Sequence, residues 1–140
     1  MILRDFDITD FDNMEIKEGC WARREDRPMI EAYASCGPAA TLWHDDLIVM
    51  CGGIACGAWK GLGEIWLIPS KFVNKWPLGV FKTAKAYIDD VIDKLDLYRV
   101  QATIAEPEVK WIEQLGFTRE GLMRKFGPNK EDKYLYARVK

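Results

Sequence analysis

The sequence predicts one mixed α/β domain organised round a central sheet. Three observations predict it. Strand-like and helix-like runs alternate along the whole chain, in the order β-α-α-β-β-β-α-β-α-β-β. The stretch from Arg99 to Val139 sets a strand, a helix, a helix stop and a hairpin in direct succession. The 140 residues, 49% hydrophobic and 30% charged, suffice for one core, and no repeat, low-complexity run or linker divides residues 1–140.

Taken in order, Ile2 to Asp7 mixes apolar and charged residues and reads as a first strand. Thr9 or Asp10 can cap the helix that follows through Phe11, Met14 and Ile16. Arg23-Arg24-Glu25-Asp26-Arg27 is a charged connector, read as solvated surface, with an anion site as the alternative. Pro28 begins a second helix, Met29 to Ala34, stopped near Gly37-Pro38. Ala39 to Trp43 and Leu47 to Ile54 read as a hairpin around His44-Asp45-Asp46. Gly52-Gly53 within it signals a bulge or a close backbone approach. Glu64 to Ile68 is almost continuously apolar, as a central buried strand should be. Lys71 to Trp76 is a loop, and Pro77 starts a long helix with the apolar stripe Phe81, Ala84, Ile88, Val91, Ile92 and Leu95.

Arg99 to Ala105 is the next strand. Glu106 to Leu115 follows as a helix: Pro107 suits a first turn, and Glu106 and Glu108 suit the positive end of the helix dipole. Val109, Trp111, Ile112 and Leu115 form its apolar stripe. Gly116 can take the left-handed conformation that ends a helix, with Phe117 packing back. Glu120 to Phe126 and Lys133 to Val139 then alternate around Gly127-Pro128-Asn129-Lys130, which is turn chemistry.

The composition also excludes functions. A net charge of −2 gives no basic field for nucleic acid. No apolar run approaches the roughly 20 residues that span a bilayer, and the N-terminus lacks a signal-peptide pattern. An intracellular protein without membrane attachment is expected. Cys20, Cys36, Cys51 and Cys56 contain no Cys-x-x-Cys pair, and His44 is the only histidine, so no metal site is expected. The cysteines read as reduced, packed thiols. Six tryptophans are many for this length, and a surface subset would suit a protein partner or a homodimer.

The ordered run Arg-Val-Gln-Ala-Thr, Leu-Gly-Phe-x-x-Glu-Gly-Leu-Met-Arg and Tyr-Leu-Tyr-Ala-Arg, at Arg99–Thr103, Leu115–Arg124 and Tyr134–Arg138, resembles the C-terminal half of GNAT-type N-acetyltransferases. It is most similar to GNAT-like proteins of phages and prophages. The resemblance extends to the element order of the full chain. It implies a mixed sheet of about six to seven strands flanked by about four helices. It also implies acetyl-CoA as cofactor, an amine acceptor on a small molecule or a protein, and the cytoplasm of a bacterial host.

In that family the central strand exposes backbone groups to the pantetheine arm, and the loop after it binds pyrophosphate at a helix N-terminus. Carried over, the resemblance assigns cofactor binding to Ile65, Trp66, Leu67 and Ile68 and to Lys71, Lys75, Leu78 and Gly79. The loop departs from the family pattern: Trp76 stands at its Gln or Arg position, and Pro77 removes a donor. The helix tyrosine that serves many members as general acid is Ile112 here. Tyr134, or Tyr136, could substitute, or both are packed aromatics. Glu64 is the best-placed general base, with Glu120 second; a solvent-facing strand end is the plainer reading of Glu64. Two functions follow. One is an acetyl-CoA-dependent N-acetyltransferase. The other is a GNAT fold without catalysis, serving as a virion, assembly or host-interaction component.

Overall fold

The computed structural model describes residues 1–140. Seven strands form one sheet: β1 Ile2–Asp5, β2 Ala39–His44, β3 Leu47–Cys56, β4 Leu62–Pro69, β5 Arg99–Ile104, β6 Thr118–Met123 and β7 Lys133–Val139. Four α-helices flank it: α1 Ile8–Asn13, α2 Arg27–Ser35, α3 Pro77–Lys94 and α4 Val109–Gln114. The spatial strand order is β1-β2-β3-β4-β5-β7-β6. Every neighbouring pair is antiparallel except β4–β5, which is parallel and connected through α3. The expected α/β architecture and element order are therefore present.

Local chemistry explains the elements and several shifted boundaries. Asp7 caps α1: its carboxylate accepts the Thr9 N–H at 2.9 Å, and the Asp10 carboxylate accepts the Asp7 N–H at 3.1 Å. The cap is thus Asp7, and Thr9 and Asp10 lie within the first turn. Ile16 lies beyond α1 and bridges to Ser70 instead. Pro28 and Pro77 occupy first-turn positions of α2 and α3, as expected. The run from Glu106 divides into a 3-10 turn, Glu106–Glu108, and α4. Gly116 has φ +93°, the left-handed stop the sequence called for. Strand β6 ends at Met123; Phe126 lies in a wider turn and is exposed.

Two main clusters bury the faces of the sheet. On one face Ile65, Val100, Ala102, Ile104 and Tyr136 pack with Ile88, Val91 and Ile92 of α3, Ile112 of α4 and Leu115 at its end. On the other, Ile48, Cys51, Ala55, Trp66 and Ile68 pack with Phe11 and Met14 near α1 and Ile30 of α2. Alternation along β4 sends Ile65 to the first face and Trp66 and Ile68 to the second. Glu64 shares the parity of Trp66 and so lies on the face of α1 and α2.

Candidate active site

Strands β4 and β5 pair over three residues only, Leu62–Arg99, Gly63–Val100 and Glu64–Gln101. Beyond Glu64 the pairing stops, and Ile65–Pro69 and Ala102–Ile104 flank an unpaired gap. The register with β3 decides which backbone groups face it. Ser70 donates its N–H to the Val49 carbonyl at 3.0 Å, and Cys51–Ile68, Gly53–Trp66 and Ala55–Glu64 follow in the same phase. Even-numbered residues of β4 thus bond β3, while Ile65, Leu67 and Pro69 turn toward β5.

This divides the expected cofactor residues. The backbone groups of Trp66 and Ile68 are spent on β3, so the gap has those of Ile65 and Leu67. Proline at 69 has no N–H, so past Ile65 only Leu67 turns a backbone donor to this side. The Leu67 carbonyl already accepts from the indole N–H of Trp21 at 2.9 Å. No sequence pattern announced that contact, which joins residues 46 positions apart.

After β4 the chain turns into α3, whose first residues lie against His44 of β2 and Met1 before β1. Lys71 pairs with Glu15 at 2.6 Å, and the ammonium groups of Lys71 and Lys75 both sit 5.1 Å from the Phe72 ring centre. The ring of Trp76 stacks on His44, with centroids 3.9 Å apart and planes 13° apart. Leu78 is exposed, and Met1 lies against Gly79. The two lysines and the first-turn N–H groups of α3 are a donor set that fits an anionic group. Trp76 contributes an indole engaged elsewhere.

Glu64 lies where the strands separate. It is exposed as a residue, yet the surrounding protein withdraws enough water to hold its carboxyl above the usual carboxylate range. Tyr33 of α2 is close enough to feel its charge, and burial together with that charge raises the Tyr33 phenol. Tyr134 is not brought to Glu64. From β7 it pairs with Ile104 of β5, so β5 stands between it and Glu64, and its ring lies on the α4 side of the sheet. The Arg119 guanidinium sits 3.9 Å from its ring centre, and a hydrogen bond with Glu106 raises its phenol. Tyr136 is fully buried, donating to Glu113 at 2.9 Å and accepting from Arg119 at 3.0 Å. Ile112 is core. Glu120 is committed to Arg99 at 2.6 Å.

Burial pushes Cys51 up to about 12, burial also raises Cys20, and Cys36 and Cys56 are exposed and free. No three His, Cys, Asp or Glu side chains converge as a metal site would require. No helix is long and apolar enough to cross a membrane.

No protein-family model and no curated protein sequence matches the chain. Solved structures do. A GNAT-family acetyltransferase from Bacillus anthracis superposes with a TM-score of 0.69 at 20% identity, over 98% of this chain and 93% of that one. A chimera of spermidine N-acetyltransferase SpeG from Vibrio cholerae and hSSAT gives 0.76 at 12% identity, over 99% and 94%. A GNAT superfamily phosphinothricin acetyltransferase from Sinorhizobium meliloti, in complex with AcCoA, gives 0.71 at 16% identity, over 99% and 87%. The fold is the one these acetyltransferases share.

Proposed function

We propose that the chain is an acetyl-CoA-dependent N-acetyltransferase acting on an amine of a small molecule or a protein in the cytoplasm. The observation that carries this reading is the parting of β4 from β5 directly after Glu64. It leaves a backbone donor, Leu67 N–H, and a desolvated carboxyl, Glu64, at one opening in the sheet. Acetyl-CoA, when bound, would bring an activated acyl group to that opening. Glu64 would take a proton from the acceptor amine, directly or through a water, freeing its lone pair for attack. Leu67 N–H would offer a fixed dipole for the acyl oxygen. Lys71, Lys75 and the backbone of Leu78 and Gly79 would hold the anionic end. Tyr134 would serve as proton donor only by reaching round β5.

A second reading has its own observation. The Leu67 carbonyl is occupied by Trp21, Ile112 fills the tyrosine position, and Trp76-Pro77 depletes the loop. These favour a GNAT fold without catalysis, serving as a phage virion, assembly or host-interaction component through a protein partner or a second copy. One measurement separates the readings. Acetyl-CoA at about 100 times its dissociation constant should stabilise the enzyme by roughly 2.7 kcal/mol, seen as a raised melting temperature. No shift at millimolar acetyl-CoA, with flat calorimetry, would leave the second reading.

A further inference from the structure

We propose that residues 15–21 form an occluding strap on the β4 side of the gap, and that Trp21 must release Leu67 before an acyl-CoA can seat fully. This rests on the acyl-CoA reading above and concerns regulation of the same site.

Three contacts lay the strap along β4. Lys17 donates its N–H to the Pro69 carbonyl at 3.0 Å, and Lys71 donates its N–H to the Glu15 carbonyl at 2.9 Å. These form an antiparallel bridge, Ile16–Ser70, at the end of β4. Four residues on, Trp21 donates to Leu67 at 2.9 Å. Pro69 and Leu67 are two of the three residues whose backbone faces the gap, so the strap uses groups that an extended ligand arm would need.

The strap is fastened at its ends, Ile16, Cys20 and Trp21 pack on the cluster of α1 and α2, and only its middle is free. Met14 and Ala22 are buried on either side of it. Arg24 binds the carbonyls of Phe11 and Met14, tying the return of the loop to the end of α1. Between these anchors Lys17, Glu18 and Gly19 are exposed. Gly19 has φ +83°, and a Cβ added there would meet nothing within 4 Å, so open space surrounds the turn. On the other face Trp111 of α4 packs against both the α4 cluster and the cluster beneath the start of α3. Release of Trp21 frees the Leu67 carbonyl and gives up its packing on the cluster of α1 and α2, while α3 and α4 keep theirs.

The test uses the full chain and calorimetry with acetyl-CoA and with adenosine 3′,5′-bisphosphate, which lacks the pantetheine arm. Trp21→Phe keeps the ring and removes the donor; Trp21→Ala removes both, and melting curves confirm that each variant is folded. One competing hydrogen bond corresponds to about five- to tenfold, so Trp21→Phe should bind acetyl-CoA tighter by that factor with nucleotide affinity unchanged. If the parent shows no binding and the variants bind, the strap stands and the parent's competence as an enzyme falls. If parent and variants bind acetyl-CoA equally, the strap is overturned while the acyl-CoA reading stands. Equal tightening of both ligands means general loosening and overturns the strap. If nothing binds to any folded variant, both proposals fail.

Discussion

Along one edge β5 pairs with β7 at six positions, from Arg99–Val139 to Ile104–Tyr134; along the other it pairs with β4 at three and stops at Glu64–Gln101. The paired edge lies over α4, with Ile112, Leu115, Phe117 and Tyr136 all buried beneath or beside it. The parting edge has Glu64, Leu67 and a borrowed indole. One strand thus serves as wall on one side and as doorway on the other. Stability should reside with the first edge and ligand chemistry with the second.

Substitutions can break that division. The largest effect is expected from Ile112→Ala, which empties a fully packed position and should destabilise by about 2–5 kcal/mol in urea denaturation. A loss under 1 kcal/mol, on the order of a surface substitution, would mean that α4 does not hold the paired edge. Next comes Gly116→Val. A Cβ there would meet Arg138 only at ordinary contact distance, 3.7 Å, so the expected loss of about 1–3 kcal/mol is backbone strain at φ +93°. An unchanged melting temperature would place the helix stop elsewhere.

The smallest effect should come from the doorway. Glu64 has a carboxyl raised by burial, so the folded protein favours its protonated form. That penalty is absent below the ordinary carboxylate range and complete once pH has passed the raised value. Glu64→Gln removes it, so the variant should gain stability on the parent as pH climbs from acid toward neutral. Parallel stability curves would show that Glu64 is solvated like any strand end. A large loss of stability in the variant would erase the contrast between the edges.

The two edges also differed in how far the sequence disclosed them. Arg99 to Val139 is governed by neighbours in sequence: Pro107 at a turn, Gly116 at a stop, apolar residues at helical spacing. Such rules are local, and the elements appeared where expected, with the hairpin turn wider because Lys125 and Lys130 take positive φ. The strand Glu64–Ile68 was legible too, though Leu62, Gly63 and Pro69 extend it. What the residues could not disclose was parity and reach. Whether Ile65 or Trp66 turns its backbone to the gap depends on register with β3, set by residues some fifteen positions earlier in the chain. Tyr134 stood out as a tyrosine of the last strand that could replace the missing helix tyrosine, but β5 lies between it and Glu64. Trp21 was one of six tryptophans, and nothing near it in sequence pointed to Leu67.

A sheet that parts in its middle acquires an edge in its interior. From Ile65 to Ile68 that edge is apolar, and a stray extended chain could add to it as to any open strand. Pro69 withdraws one donor, the Ile16–Ser70 bridge covers the end, and Trp21 takes the carbonyl at Leu67. These contacts guard against strand invasion whether or not a cofactor ever binds. Loosening them to admit a ligand should therefore be accompanied by a greater tendency to self-associate, and the protein that opens most readily should be the one most prone to aggregate.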